Sequence, residues 1–319
     1  MIKMFTVLFT AVGRRVQLIR AFKESYINHG VAARIIGTDS VPQMAPACYF
    51  CDASYQVPFA HQAHYVERIL EVCVKEKVNM VIPLFEPEFL SLDDNRQHFT
   101  EVGTTLLLSK RKVLDICRDK YLTYDFFTDN NIDTPKTWID TEIPAYLKFP
   151  LFVKPRVGMG SAGVQKVKDK THLHYILSQE HDLIVQEFIS GSEYTLDILV
   201  SFDRKVLSVV PRQRLEVRSG EVSKSRTFYR EDMIIKAKNI VEKLGAIGPV
   251  TLQCIDRGGK LYWTEINPRF GGGVPLSIKA GVDYPFLLYQ LYKGQLLEPI
   301  IGRFKDNLKM IRYDEAIYF

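Results

Sequence analysis

The first hundred residues alternate between two hydrophobic spacings. FTVLFTAV (5–12) is a nearly continuous apolar run closed by Gly13, and RRVQLIRAFKESYINHG (14–30) carries apolar residues at helical spacing up to a terminating Gly30. A strand, a turn and a helix are predicted. The pattern then repeats: ARIIGTD (33–39) reads as a strand, AHYVERILEVCVKEKV (63–78) as an amphipathic helix and NMVIPLF (79–85) as a third strand. EFLSLDDNRQHFTEVG (88–103) follows as a third helix and TTLLLS (104–109) as a fourth strand. Strands alternating with helices of this length predict a parallel sheet with helices on its faces. Ligands of such sheets sit beyond the carboxyl ends of the strands, which places Gly13, Asp39, Pro83, Glu86 and Glu88 on the functional edge. Glu86 and Glu88 read equally well as acidic residues favouring a helix start.

After residue 110 the texture changes. KRKVLDICRDKYLTYDFFTDNN (110–131) is a helical pair, and IDTPKTWID (132–140) is a loop entering a strand. FPLFVKPRVGMGSAGVQKV (149–167) reads as strand, glycine loop and strand. Its Gly158-Met159-Gly160-Ser161-Ala162-Gly163 matches G-x-G-x-x-G, but a dinucleotide site needs a helix directly after the glycines. VQKVKDK (164–170) is short and alternating, a returning strand. A glycine loop between antiparallel strands suits a flap whose backbone N–H groups cover phosphates, with Lys154 on the incoming strand as the cation. A plain hairpin is the alternative. In DLIVQEFISGSEYTLDILVS (182–201) an apolar strand breaks at Gly191 before a second strand with Glu193, Thr195 and Asp197 on one face. Such a hinge can offer backbone groups to a flat base and a carboxylate to ribose hydroxyls.

VTLQCIDRGGKLYWTEIN (250–267) predicts two strands around a glycine hairpin. With the loop at Gly258-Gly259-Lys260, position 253 faces position 265, and alternation puts Gln253, Glu265 and Asn267 together. Their oxygens suit a hard cation such as Mg²⁺. Pro268 ends the pairing, Arg269 supplies a permanent forked cation, and Gly271, Gly272 and Gly273 permit close approach of backbone to a ligand.

Composition narrows the function class. The chain has 319 residues, 46% hydrophobic and 25% charged, with formal charge +5 and basic residues spread along it. Two or three compact units and a small anionic ligand are expected, with neither nucleic acid nor membrane as partner. MFTVLFTAV is too short for a membrane span, and Arg14 and Arg15 follow it where a secretory signal would have them precede, so a cytoplasmic location is expected. Five cysteines without framework spacing fit a reducing compartment. Cys48-x-x-Cys51 with His61 and His64 makes zinc conceivable. The intervening DASYQVPFA (52–60), however, reads as loop and edge strand, and no second C-x-x-C closes a ribbon, which favours buried thiols.

EINPRFGGG (265–273), with Gln253 upstream, carries a resemblance to the ATP-grasp enzymes. The chain most resembles one synthetase half of the carbamoyl phosphate synthetase large subunit, and the stand-alone carboxylate-amine ligases related to it. That resemblance implies an α/β and α+β protein. A Rossmann-like parallel-sheet pre-ATP-grasp domain would occupy 1–109, a small lid subdomain 110–186 and a large antiparallel subdomain 187–319. It implies ATP with Mg²⁺ or Mn²⁺, with Lys120 and Lys154 on phosphates and Gly158, Gly160, Ser161 and Gly163 as the lid. Glu187, Phe188 and Ile189 would form the adenine hinge and Glu193 would take the ribose. Gln253, Glu265 and Asn267 would hold metal, while Arg269, Lys154 and Arg214 would act on the transferred group. Many relatives carry an acidic residue at the place of Gln253. Arg212, Arg214 and Arg218 lie on a strand and turn flanking the same cleft, either facing a substrate carboxylate or forming an exposed basic edge.

The implied chemistry is γ-phosphoryl transfer to a carboxylate, giving an acyl phosphate that an amine or ammonia attacks. Small-molecule carboxylate and amine substrates are the expected partners, and a homodimer is compatible. The alternatives are a carbamoyl phosphate synthetase-like half phosphorylating bicarbonate or carbamate, and a nucleotide-binding module without turnover.

Overall fold

A computed structural model of the chain describes residues 4–160, 163–218 and 220–318. The N-terminal unit is built from strands β1 (Phe5–Thr10), β2 (Ala33–Asp39), β3 (Ala53–Gln56), β4 (Met80–Pro83) and β5 (Thr105–Leu106). Its helices are α1 (Val16–Asn28), α2 (Tyr65–Glu76), α3 (Phe89–Asp94) and α4 (Arg96–Glu101). All strands are parallel in the order β3-β2-β1-β4-β5. β1 and β4 are buried along their whole lengths, which is why they read as unbroken apolar runs. The single helix expected over 88–103 is two. Asn95 sits between them with its Nδ2 donating to Ser91 O at 2.9 Å, the local competition that makes asparagine a poor interior helix residue.

A helical pair follows, α5 (Arg111–Arg118) and α6 (Lys120–Asp129), and then β6 (Thr137–Ile139), β7 (Leu151–Pro155), β8 (Gln165–Val167), α7 (Lys170–Gln179) and β9 (Leu183–Glu187). The four strands form an antiparallel sheet in the order β6-β9-β7-β8. Leu151, Val153, Val167 and Val185 pack one face of it against Leu173 and Ile176 of α7. Alternation sends Phe152, Lys154 and Gln186 to the other face. The remaining elements are β10 (Ser192–Val200), β11 (Val206–Arg218), β12 (Glu221–Thr227), α8 (Glu231–Leu244), β13 (Gly248–Arg257), β14 (Lys260–Asn267), α9 (Val274–Lys279), α10 (Tyr284–Tyr292) and β15 (Lys309–Ile311). Their six strands run antiparallel in the order β14-β13-β10-β11-β12-β15.

Two cores meet on this six-stranded sheet. Met233, Ala237 and Val241 of α8, with Val113 and Cys117 of α5 and Phe127 of α6, fill one face. On the other, Leu199, Leu207, Val210, Phe270 and Val274 join Val7, Phe9, Phe22 and Met80 in a single apolar cluster. The parallel sheet is therefore welded to the large sheet rather than tethered to it, and the carboxyl ends of β1 and β4 abut the cleft.

Cys48 is buried in this shared core and Cys51 donates its thiol to Ala47 O at 3.4 Å. Burial pushes both thiols up to about 12. His64 lies at the surface, 2.7 Å from Glu67. Among the described residues no group of three or more His, Cys, Asp or Glu could hold a metal ion. No helix among them is long and apolar enough to cross a membrane.

Candidate active site

Local chemistry fixes each cation of the cleft. Asp119 caps α6, accepting from Tyr121 N at 2.9 Å and Leu122 N at 3.3 Å, and takes Arg156 Nε at 2.7 Å. The helix thus starts at Lys120, whose Nζ donates to Gly158 O at the base of the glycine loop, 2.8 Å away. Lys154 stands on β7 and donates to Gln186 Oε1 at 3.1 Å, while Gln186 Nε2 is itself held by Thr137 Oγ1 at 2.8 Å. A neutral amide is the sole hydrogen-bond acceptor of this half-buried ammonium among the described residues. Burial pulls Lys154 down to about 8, with Glu265 opposing and Lys120 adding to the shift. Lys120 is lowered too, by burial against the pull of Glu265, Glu86 and Asp119.

The metal candidates come together, by a route the spacing hides. The β13–β14 loop is two residues, Gly258 and Gly259, not three, with Arg257 paired to Lys260. That register alone would set Gln253 opposite Thr264. A bulge between Gln253 and Cys254 absorbs one residue of β14, so Gln253 does face Glu265. Glu265 makes no side-chain hydrogen bond or ion pair among the described residues. Gln253 Oε1 accepts from Arg214 Nη1 at 3.1 Å and Asn267 Oδ1 from Arg269 Nη2 at 3.2 Å. The donors are all oxygen and include one unpaired carboxylate facing two lysines, a set that fits a hard divalent cation shared with phosphate oxygens.

Arg269 links the two units. Its Nη2 lies 2.9 Å from Glu86 Oε1 of the N-terminal unit, and its Nη1 donates to Phe270 O at 3.3 Å. Burial raises Glu86, Arg269 opposes that shift and Glu265 reinforces it. Glu88, placed on the same edge by the sequence, is fully buried and structural: it accepts from Thr10 Oγ1 at 2.6 Å, from Phe85 N at 3.1 Å and from the Tyr65 hydroxyl. Asp39 closes the β1–α1 turn by accepting from Gly13 N at 3.0 Å.

A cavity of about 490 Å³ collects Lys120, Lys154, Gly158, Gly160, Glu193, Arg214, Gln253, Glu265, Asn267 and Arg269. Glu187, Phe188 and Ile189 do not line it. Glu187 N donates to Lys136 O at 2.8 Å, and Lys166 Nζ covers the Phe188 ring at 3.8 Å from its centroid. A Cβ on exposed Gly163 would stand 2.9 Å from the Pro155 ring, and Ser161 lies outside the described residues. The loop reaches the β11–β12 turn, where a Cβ on Gly220 would stand 2.7 Å from Gly160 O. Arg214 faces the cleft, with Glu193 3.6 Å from its Nε. Of the two readings of Arg212, an exposed basic edge does not hold: it is buried and clamped by Asp197, Nε to Oδ2 at 2.6 Å and Nη2 to Oδ1 at 2.9 Å. Arg218 remains exposed, 3.3 Å from Asp314.

Arg15 and Glu221 were not singled out by the site motifs, yet both line the cavity. The signal was present for Arg15, which follows the first strand at its carboxyl end. Nothing in the spacing pointed to Glu221, which arrives by pairing of β11 with β12.

With this geometry in place, two family descriptions match the chain: "PylC-like, N-terminal domain" over residues 7–107 and "ATP-grasp domain" over 117–273. The carbamoyl phosphate synthase large chain of Clostridium acetobutylicum is 24% identical over 268 residues, 76% of this chain and 25% of the relative; that of Clostridium perfringens is 25% identical over 261 residues, 73% and 24%. The chain thus spans about a quarter of the length of these relatives. Among solved structures, the biotin carboxylase domain of Hydrogenobacter thermophilus 2-oxoglutarate carboxylase, in complex with MgADP, ADP and bicarbonate, superposes with TM-score 0.73 at 17% identity, over 96% of this chain and 74% of that one. N5-carboxyaminoimidazole synthetase of Staphylococcus aureus complexed with ADP gives 0.72 at 16%, over 93% and 80%. L-amino acid ligase from Bacillus licheniformis gives 0.67 at 20%, over 92% and 75%.

Proposed function

The chain belongs to the ATP-grasp superfamily, and from that premise we propose an ADP-forming ligase that activates a small carboxylate as an acyl phosphate for attack by an amine or ammonia. One observation carries this reading: two half-buried lysines and Arg269 converge on a cavity where Glu265 is the only lining carboxylate without a partner among the described residues. Such a site is short of negative charge until an anion enters. Lys154 and Lys120 would hold phosphate oxygens, and Lys120, already on Gly158 O, would couple the glycine lid to them. Arg269, steadied by Glu86 and Asn267, would neutralise charge on the transferred group; Arg214 would flank it. Mg²⁺ or Mn²⁺, held by Glu265 and Asn267 with Gln253 beside them, would supply Lewis-acid neutralisation of the phosphates. No side chain is required as a covalent nucleophile, so positioning and water exclusion by the lid do the remaining work. Small-molecule carboxylate and amine substrates follow from this chemistry.

Hydroxylamine tests the reading. With ATP, Mg²⁺ and the right member of a carboxylate panel, hydroxamate is expected to accumulate in step with ADP. ADP with a stable phosphorylated product and no amine dependence would instead favour a kinase-like half reaction, the reading supported by similarity to the carbamoyl phosphate synthase large chains. AMP with pyrophosphate, or binding without turnover across the panel, would sink the ligase proposal.

Lys154 gives a pH prediction. Phosphate takes the protonated ammonium, and the free protein loses that proton near pH 8. Affinity for MgATP should therefore be flat below about pH 8 and fall up to roughly tenfold per pH unit above it. Lys154→Arg, which stays charged, should flatten the curve. A flat curve for the wild type, measured by equilibrium binding, would remove Lys154 from the phosphate site.

A further inference from the structure

Arg15 is held at the N-terminus of α1 by the β1–α1 turn, with its backbone N donating to Val12 O at 2.9 Å and Asp39 bracing Gly13. It points into the cleft: its Nη1 would lie 3.0 Å from a Cβ placed on Gly272. The charged groups around it come from four elements of the chain. Glu86 follows β4, Arg269 follows β14, Glu221 opens β12 and Arg312 follows β15. Both carboxylates are already taken, Glu86 by Arg269 at 2.9 Å and Glu221 by Arg312 at 2.8 Å. Three guanidinium groups thus share two carboxylates, and among the described residues Arg15 has no side-chain hydrogen bond or ion pair. Burial, reinforced by Arg269 and Arg312 against Glu221 and Glu86, draws it down to about 10.

A second open donor stands beside the same glycine run. Arg212 spends Nε and Nη2 on Asp197, while its buried Nη1 has no partner and would lie 2.2 Å from a Cβ on Gly273. Both arginines line the cavity that holds Lys154, Glu265 and Arg269. Gly272 and Gly273 thus let two guanidinium groups approach the glycine run, Arg15 without a side-chain partner and Arg212 with one buried open donor, next to the phosphate-facing cations. An unpaired buried donor is costly and is relieved by an acceptor of opposite charge.

We propose that Arg15 and the open Nη1 of Arg212 seat the carboxylate-bearing substrate, so that the N-terminal unit selects the acid that the ATP-grasp cleft activates. The occupant has the planar O–C–O chemistry shared by an organic carboxylate and bicarbonate. This deepens the ligase reading and rests on it, but its first test needs no turnover.

Phenylglyoxal labelling of the full chain, mapped by peptide mass spectrometry, reads Arg15 directly, with exposed Arg14 as internal control. Bicarbonate, or a member of a panel of acetate, malonate and the common amino acids, is expected to slow labelling of Arg15 and leave Arg14 unchanged. Protection by bicarbonate alone names that source; protection by an organic acid names the other. Equal protection by chloride, protection by MgADP alone, or none from any probe overturns the proposal. In the coupled ADP assay, Arg15→Gln should raise KM for the acid by about 10–100-fold with KM for ATP unchanged, and Arg15→Lys should recover part of the loss. An unchanged acid KM in Arg15→Gln, with hydroxamate still formed, would discard Arg15 and leave the ligase reading standing. Protected labelling without turnover would do the reverse.

Discussion

Glu265→Ala is expected to leave a folded protein whose MgATP-dependent ADP release is lower by about a thousandfold or more, the scale on which metal and preorganised charge act in phosphoryl transfer. Glu265 stands two residues before the end of β14 and lines the cavity, partly exposed and without a side-chain hydrogen bond or ion pair among the described residues. Its removal leaves no buried partner stranded, so the stability change should stay within about 1 kcal/mol, as for substitutions outside the core. The electrostatic effect is the opposite of benign. Glu265 is the leading charge opposing the shifts at both Lys154 and Lys120, so the variant keeps two close cations with less to offset them. Glu265→Gln separates charge from shape and should be nearly as inactive. Asn267→Ala makes a useful contrast, because buried Asn267 also receives Arg269 Nη2 and its loss should disturb both metal and arginine. Near-wild-type ADP release in Glu265→Ala, with an unchanged melting transition, would end the metal assignment.

The parts of this site legible in the sequence were those written along one strand. Lys154 follows from alternation in β7, and Glu265 with Asn267 from alternation in β14, because a period of two needs no tertiary information. The parallel sheet was legible from another local signal: β1 and β4 are buried along their whole lengths and announce themselves as apolar runs. Facing across strands was less secure. The Gln253–Glu265 pairing is real, but it depends on a two-residue loop and a bulge whose offsets cancel, and a bulge leaves no composition signature at Thr264. Least legible were roles set by partners far along the chain. Glu86 and Glu88 are two residues apart and look alike, yet one reaches Arg269 across the cleft while the other turns inward to Thr10 and Tyr65. Arg212 and Arg214 share a strand face, yet Arg212 is taken by Asp197, fifteen residues away on the neighbouring strand, and Arg214 looks to Gln253 and Glu193. Short-range patterns reveal which face a residue occupies; long-range pairing decides what it does there.

That Asp197–Arg212 pair carries the largest expected stability effect. Their side chains are 3% and 1% exposed, joined by two hydrogen bonds of 2.6 and 2.9 Å, and Ser277 Oγ adds a third to Asp197 Oδ2 at 2.6 Å. Asp197→Ala would leave a buried guanidinium without the carboxylate that holds it, and breaking a buried pair from one side costs about 3–5 kcal/mol. The loss should appear in denaturant midpoints. Asp197→Leu combined with Arg212→Met should lose less than Asp197→Ala alone, because the charge that causes the penalty goes with its partner. If the single substitution proved as mild as a surface change, the pair would not be holding the sheet at this point. The two variants also divide stability from chemistry. The double variant restores packing but deletes the open Nη1 beside Gly273, so a stable protein that keeps its affinity for MgATP and loses its response to the acid would place Arg212 with the substrate. A stable protein with full acid response would confine Arg212 to holding β10 and β11 together.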